Sequence, residues 1–201
     1  MKHILSFVSA VLMSSVLCLT PCYADEIAED SAVEEDSSAT TDSEKSESKF
    51  ERVLLKKGSL ISKEFTDYGT IETSWQPISL QTAKLVDIAT GDEYYALRME
   101  HDYYKSEYDN GTSTGVLDSD EIDGVISTLK YIKEHENEFK NYTEVNYTSS
   151  SDMIFGAYKS DDDSSIFIKF DYKDTAYIEM SNIDDVIETF EGAQKALDDM
   201  K

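Results

Sequence analysis

The sequence predicts an α+β fold built as a tandem duplication, in which four antiparallel strands are followed by one amphipathic helix in each copy (β4α–β4α). A segment at residues 115–129 recurs at residues 176–190 with a constant offset of 61 residues. The identical positions of the first copy are Ile122, Asp123, Val125, Ile126 and Thr128. A period of this size is typical of one supersecondary unit used twice. The chain after residue 49 is also rich in Tyr, Phe, Ile and Thr, which favour strands.

Residues 1–24 have the pattern of a secretory signal peptide. A short basic start precedes an apolar stretch at residues 4–19, and a cleavage site follows at Ala24. The apolar stretch is shorter than the roughly 20 residues that a membrane-spanning helix needs. The mature protein is therefore expected to be secreted or periplasmic, without a transmembrane segment.

Both cysteines, Cys18 and Cys22, lie within this predicted signal. The mature chain would therefore contain no disulfide, thiolate metal site or cysteine nucleophile. Residues 19–22 also have the outline of a bacterial lipobox, in which Cys22 would become a lipid anchor. Pro21 fits that motif poorly, so cleavage after Ala24 is the preferred expectation.

Residues 25–48 predict a disordered acidic linker rich in serine and threonine. The stretch carries ten Asp/Glu against a single Lys45 and has no aromatic residue. Such a composition cannot bury enough apolar surface to offset the entropy of ordering the chain. The globular domain is then expected at residues 49–201, as two repeats at about 50–140 and 141–201.

Four strands are predicted in the first repeat, at residues 52–65, 78–89, 94–104 and 113–118. The first is expected to bend at Gly58. In the third, alternation places Tyr95, Leu97, Met99 and His101 on one face of the sheet. A hairpin turn is predicted at residues 109–111, because Asn and Gly tolerate positive φ.

The first helix is predicted to begin at Asp120, its N-cap, and to end near Phe139. Asp123 would then occupy N3, a capping-box variant that also suits the helix dipole. The apolar stripe follows the spacing of a helix that buries one face. Its members are Ile122, Val125, Ile126, Leu129 and Ile132.

The second repeat gives the same order, with strands predicted at residues 142–148, 153–159, 166–172 and 176–180. The turn between the middle strands is predicted at residues 161–163. Ser181 is the expected N-cap of the last helix, with Asp184 at N3. Its apolar stripe is Ile183, Val186, Ile187, Phe190, Ala193 and Leu197. The order alone leaves open whether the helices cover one face or pack between the sheets.

This element order, with the strand–turn–helix segments at residues 115–129 and 176–190, resembles the Whirly proteins and the PC4-like single-stranded-DNA-binding fold. In those families a four-stranded antiparallel sheet precedes a helix, and Whirly proteins carry two such units. The resemblance is topological, covers most of residues 50–199, and implies nucleic-acid binding. Residues 56–58 (Lys-Lys-Gly) are the nearest sequence to the Whirly DNA-contacting motif and are too short to match it, so no functional residue is carried over.

The charge of the chain opposes that implied function. Residues 49–201 carry 16 Lys/Arg and 32 Asp/Glu, a formal charge of −16. Such a surface repels a phosphate backbone unless its cations are clustered. Tyr103, Tyr104 and Tyr108 could stack on bases, but positions at sheet edges or in the core are the favoured interpretation. Nucleic acid is therefore a disfavoured partner.

Three further patterns have simpler structural interpretations. Residues 118–124 resemble a calcium loop, but the fifth position is the apolar Ile122, so helix capping is favoured. Residues 161–163 are interpreted as a solvated turn rather than a cation site. His101 and His135 lack zinc-ligand spacing, and His101 is expected to be exposed on its strand. No catalytic, cofactor-binding or metal-binding residue is assigned, and no cofactor is expected.

The favoured function is an exported, non-catalytic binding module for a protein, peptide or glycan. The signal, the acidic linker and the lack of catalytic motifs support it. A secreted hydrolase is the first alternative, and it would need two carboxyl groups about 5 to 9 Å apart in a cleft. Nucleic-acid binding is the second alternative, and it would need a contiguous basic face.

Overall fold

The computed structural model describes residues 47–161 and 163–201, which form three α-helices and eight strands. The helices are α1 Lys49–Leu54, α2 Ile122–His135 and α3 Ile183–Asp198. The strands are β1 Ile61–Ile71, β2 Ile78–Asp87, β3 Glu93–Ser106, β4 Asp109–Asp118, β5 Thr143–Thr148, β6 Ile154–Lys159, β7 Ser164–Lys169 and β8 Thr175–Glu179. The predicted signal peptide and nearly all of the predicted acidic linker lie outside the described residues.

Each repeat contributes one four-stranded antiparallel sheet, with strand orders β1-β2-β3-β4 and β5-β6-β7-β8. A helix follows each sheet, so the predicted α+β fold with a duplicated β4α pattern is confirmed. The helix of the first copy begins at Ile122 and that of the second at Ile183, which keeps the offset seen in the sequence. The predicted stripe residues of both helices are buried.

The two repeats exchange helix contacts across one shared core. Helix α2 contacts β5 and β6 of the second sheet, whereas α3 contacts β1, β2 and β3 of the first. The helices also contact each other, and Phe190 of α3 meets Phe155 of β6 edge to face at 5.8 Å between ring centroids. The alternative left open by the sequence is therefore settled in favour of helices that pack together and contact both sheets. Such burial is the dominant stabilising term of a domain.

Helix α1 covers part of the face of the first sheet that points away from this core. Phe50 and Val53 pack there on Leu85, Ala96 and Val116. The prediction of a strand at residues 52–65 is wrong for residues 52–60 and right for residues 61–65, because residues 49–54 are helical and β1 begins at Ile61.

A capping box explains why the chain is helical at that point. The Ser48 hydroxyl accepts a hydrogen bond from the Glu51 N–H at 3.0 Å, and the Glu51 carboxylate accepts one from the Ser48 N–H at 3.1 Å. The sequence signal was present as Ser-x-x-Glu. It was hidden because six residues are too few to show a helical period. Ser48 itself is buried and belongs to the folded part of the chain.

The predicted caps of the two long helices are wrong. The N-cap of α2 is Glu121 rather than Asp120, and that of α3 is Asn182 rather than Ser181. Neither N-cap residue makes a side-chain capping bond. A 3₁₀ turn at Met180–Asn182 precedes α3 and shifts its start by one residue.

Carboxylates at the end of β4 instead hold α1 in place. The Asp118 carboxylate accepts hydrogen bonds from the backbone N–H groups of Lys49 at 2.7 Å and Phe50 at 3.1 Å. The Asp120 carboxylate forms an ion pair with the Lys49 ammonium. The Asp118 carboxylate therefore satisfies two free N–H groups of the first turn of α1, although it lies far from them in the sequence.

The hairpin between β3 and β4 is longer than predicted. The strands pair up to Ser106 and Asp109, so the turn consists of Glu107 and Tyr108 rather than residues 109–111. A register shift between Tyr104 and Ser106 accommodates the change. In the second repeat the predicted turn at residues 161–163 does fall between β6 and β7, with Asp162 outside the described residues.

Candidate functional site

A groove of about 630 Å³ separates the edge strand β4 from elements of the second repeat. One wall consists of residues 112–115 of β4 together with Tyr103 of β3. The other wall consists of residues 151–154, at the turn before β6, and residues 169–173, at the end of β7. Glu51 of α1 also lines the groove. Both repeats thus contribute to the site, which no single stretch of sequence contains.

The turn before β6 docks against β4 and closes one end of the groove. The Ser151 hydroxyl donates a hydrogen bond to the Val116 carbonyl at 2.5 Å. Met153 packs over Gly115, where a Cβ atom would lie 2.2 Å from the methionine sulfur. Glycine therefore allows the buried Met153 side chain to form the floor beside β4.

The loop after β7 is a tight turn stabilised by its own side chain. The Asp171 carboxylate accepts hydrogen bonds from the N–H groups of Lys173 at 2.6 Å and Asp174 at 2.8 Å. The Phe170 N–H donates to the Asp174 carbonyl at 3.0 Å. Such an Asx turn holds the backbone in one conformation. It presents Tyr172 to solvent at 84% exposure, on the rim of the groove.

Lys105 joins this loop to the β3–β4 hairpin, and on each side a lysine lies beside a tyrosine ring. The Lys173 ammonium lies 5.5 Å from the ring centroid of Tyr172, and the Lys105 ammonium lies 6.0 Å from that of Tyr103. Lys105 also donates a hydrogen bond to the Lys173 carbonyl. The nearby phenol group of Tyr172 raises the pKa of Lys173 above its usual value. Lys173 therefore stays a cation at neutral pH.

Behind this loop, His101 is buried at 4% exposure, so the prediction of an exposed strand histidine is wrong. Its Nδ1 lies 2.9 Å from Oδ1 of Asp174, a residue that is also buried. The His101 ring stacks on Phe170, which lines the groove, with centroids 5.8 Å apart. The Nε2 atom is buried and has no hydrogen-bond partner among the described residues. The His101–Asp174 contact therefore connects β3 to the loop that carries Tyr172.

The tyrosines singled out in the sequence are only partly brought together. Tyr103 lines the groove, whereas Tyr104 and Tyr108 lie near or at the tip of the hairpin with 58% and 93% exposure. Tyr172, the most exposed aromatic residue of the groove, was missed by the sequence analysis. The signal that could have found it is the Asp-x-x-Asp turn pattern at residues 171–174.

The remaining candidates of the sequence have structural partners. Asp118 and Asp120, from the calcium-like stretch, bind α1, and the Glu121 carboxylate accepts a hydrogen bond from the Ser150 N–H at 2.7 Å. His135 stacks on Tyr131 at 4.2 Å between centroids. In the part of the chain that the structure describes, no three His, Cys, Asp or Glu side chains are grouped so as to hold a metal ion.

The lysines near the Whirly-like position do not form a free cluster. The Lys56 ammonium lies 2.6 Å from a carboxylate oxygen of the buried Asp87. The hydrogen bond and the charge of Asp87 raise the pKa of Lys56. Its charge is therefore already balanced by a protein carboxylate.

Comparisons with known proteins leave the geometry as the main guide to function. Along residues 47–161 and 163–201, no helix is both long enough and apolar enough to cross a membrane. No protein-family model matches the chain, and neither the curated proteins nor the solved structures include a significant match.

Proposed function

We propose that the chain is an exported, non-catalytic binding module and that its ligand occupies the groove between β4 and the second repeat. The observation that carries the proposal is the composition of this groove. It combines a buried apolar floor, formed by Met153 and Phe170, with exposed tyrosine and hydroxyl groups on the rim. Sites with this combination of apolar surface and a few convergent polar groups are typical ligand sites.

The signal-like residues 1–24 and the acidic residues 25–48 support export and a flexible connection. These features are sequence expectations, and they are tested by locating the mature N-terminus of the exported protein. Cleavage after Ala24 supports the proposal, whereas a lipid on Cys22 would convert the module into an anchored one.

Substitution of an exposed aromatic residue in the groove, with a matched substitution outside it, tests whether the ligand binds there. Full-length protein is screened against glycan, peptide and cell-wall panels, and each bound ligand is titrated against Tyr172→Ala and Tyr177→Ala. Tyr172 lines the groove, whereas Tyr177, with 55% exposure, does not. We expect Tyr172→Ala to weaken binding about tenfold, the size of one aromatic contact, and Tyr177→Ala to leave it unchanged. Equal effects of the two variants would place the ligand elsewhere, and failure to bind in every panel would count against a binding module.

A secreted hydrolase is the second candidate, because three carboxylates line the groove: Glu51, Asp152 and Asp171. Two of them accept hydrogen bonds from backbone N–H groups, in the capping box of α1 and in the Asx turn. Asp152 alone has no side-chain hydrogen bond among the described residues. Because glycoside hydrolysis needs a pair of available carboxyl groups, we expect no turnover of chromogenic glycosides. Turnover that Asp152→Asn abolishes would favour the hydrolase.

Nucleic-acid binding, implied by the Whirly resemblance, is the least supported function. The formal charge of −16 over residues 49–201 and the pairing of Lys56 with Asp87 both oppose it. A fold alone does not determine function. Binding of a single-stranded oligonucleotide that weakens steeply with salt would reinstate it.

A further inference from the structure

The edge of β4 that faces the groove presents unpaired backbone groups. Within residues 47–161 and 163–201, strand β4 is the last strand of its sheet and pairs only with β3. The Val116 carbonyl accepts a hydrogen bond from the Ser151 hydroxyl, and the Asp118 N–H donates one to the Glu121 carboxylate at 3.3 Å. Both residues therefore direct main-chain groups away from β3. Main-chain direction alternates with a period of two along a strand.

The same alternation places Thr114 and Thr112 in the outward-facing register. The β3–β4 pairing runs without a register shift from Asp118 to Asn110, so no bulge interrupts the alternation. No described residue forms a backbone hydrogen bond with the outward N–H or C=O of Thr112 or Thr114. Both threonines are exposed and line the groove. Four backbone groups, two donors and two acceptors, therefore point into open space.

Where the turn before β6 covers the edge of β4, a side chain of that turn supplies the missing hydrogen bond. Ser151 supplies a hydroxyl to Val116, and the groove begins at the next residue along β4, Gly115. An unpaired strand edge is a template for one more strand. Its regular donor and acceptor spacing matches an extended polypeptide, which is the recognition mode of strand addition. The hydroxyl groups of a glycan do not reproduce that regular spacing.

The charge of the module selects the kind of peptide. The groove contains three carboxylates, on Glu51, Asp152 and Asp171, and two lysines, Lys169 and Lys173. Residues 49–201 as a whole carry a formal charge of −16. A field of this sign steers cationic partners toward the protein and repels acidic ones.

We propose that the groove binds an extended, positively charged peptide segment, which adds as a fifth strand to the first sheet along Thr112 and Thr114. Its alternate side chains would point toward the apolar floor at Met153 and Phe170, and those between them toward solvent. This inference rests on the proposed function, since it names the ligand class of the same groove.

The test removes one backbone donor from β4. Peptides are selected from a display library of random sequences on the full-length protein, and their affinities are measured for Thr114→Pro and Thr114→Val. Proline lacks the outward N–H but is tolerated at a strand edge, whereas valine keeps it and suits a strand. We expect selected peptides to be rich in Lys and Arg, and Thr114→Pro to bind at least about tenfold more weakly than Thr114→Val, the effect of one lost hydrogen bond.

A second measurement changes the peptide instead of the protein, so its result does not depend on whether the proline variant folds. Methyl groups are placed on successive backbone nitrogens of a selected peptide, and its binding to the unaltered protein is measured. Strand addition predicts that methylation abolishes binding at every second position only, because alternate N–H groups face β4. Uniform tolerance of methylation, or equal affinity of the two Thr114 variants, would overturn the inference.

The remaining outcomes separate this inference from the proposed function. If no peptide is selected but a glycan binds and depends on Tyr172, the binding module stands and strand addition fails. If neither class binds, both fail. Selection of acidic peptides that pass the methylation test would retain strand addition and overturn the charge argument.

Discussion

The Nδ1 atom of His101 lies 2.9 Å from Oδ1 and 3.0 Å from Oδ2 of Asp174, and both side chains are almost completely buried. This contact joins β3 of the first repeat to the loop before β8 of the second. A carboxylate in such surroundings is stabilised only by its hydrogen-bond partners, since water is excluded. The pair therefore links the stability of the domain to the position of the groove wall that carries Phe170 and Tyr172.

We predict that Asp174→Ala lowers the free energy of unfolding by about 3 kcal/mol, because it leaves the buried His101 ring without its partner. Asp174→Asn should recover part of the loss, since its amide oxygen can still accept from Nδ1. Urea unfolding monitored by circular dichroism measures both. His135→Ala is the control, because that ring is only half-buried, and it should change stability by less than about 0.5 kcal/mol. A similarly small effect of Asp174→Ala would show that the pair is not a structural link.

The sequence was sufficient to predict the elements that occur in both repeats and are long enough to show their hydrophobic spacing several times. The stripes that begin at Ile122 and Ile183 identified α2 and α3 because a long amphipathic helix shows its spacing several times. The short helix α1 shows hardly one period, and it is stabilised by Asp118, 68 and 69 residues from the amides that it binds. Local reasoning cannot supply that contact.

The candidate site was beyond sequence reasoning for the same physical reason. His101 pairs with a carboxylate 73 residues away, so its alternation on β3 indicated the correct face but not its burial. The unpaired edge of β4 depends on where the turn at Ser151 docks, which follows from packing of the second repeat against the first. Tyr103 was noted because tyrosines cluster there, whereas Tyr172 stands alone in its loop.

We predict that Gly156→Ala is strongly destabilising and that Gly69→Ala is not. A Cβ atom at Gly156 would lie 2.4 Å from the Val145 carbonyl oxygen and 2.7 Å from Cβ of Asn146, and this backbone of β5 cannot move aside without breaking its pairing. Overpacking of this kind costs about 1 to 3 kcal/mol. A Cβ atom at Gly69 has no neighbour within 4 Å. Thermal unfolding of the two variants gives the comparison, and equal melting temperatures would refute the steric argument.

We predict that Phe50→Ala releases α1 while the main core remains folded. The Phe50 side chain is 1% exposed and belongs to the small cluster on the outer face of the first sheet, which is separate from the main core. Its loss removes much of the apolar contact that holds a six-residue helix, which is too short to persist alone. Amide exchange should increase at residues 49–54 and remain slow in α2 and α3. Leu55→Ala is the control, because the Leu55 side chain is 63% exposed. It should leave amide exchange unchanged both at residues 49–54 and in the two long helices.

The Asp118 carboxyl gives a pH dependence of unusual sign. Burial is the largest influence on it and raises its pKa, whereas the N–H groups of Lys49 and Phe50 lower it to a smaller extent. The folded protein therefore holds this proton more tightly than the unfolded chain does. Its contribution to stability is fully present below the unfolded pKa of about 4 and is lost as pH rises through the folded value. We expect the wild type to lose stability relative to Asp118→Asn as pH increases from about 4, as measured by melting temperatures in a pH series; a constant difference would contradict this.

Asp87 should show the opposite slope in the same series. Its carboxylate accepts a hydrogen bond from the Lys56 ammonium at 2.6 Å, which is the main cause of its lowered pKa, and a second from the Ala89 N–H at 3.0 Å. The unfolded chain therefore binds this proton more tightly than the folded protein. The stabilisation is present above the unfolded pKa of about 4 and is lost as pH falls through the folded value. We expect the advantage of the wild type over Asp87→Asn to be constant near neutral pH and to shrink below about pH 4. Because both variants replace one aspartate by asparagine in the same domain, general acid effects cancel, and slopes of the same sign would show that the local partners of Asp87 and Asp118 do not control their titration.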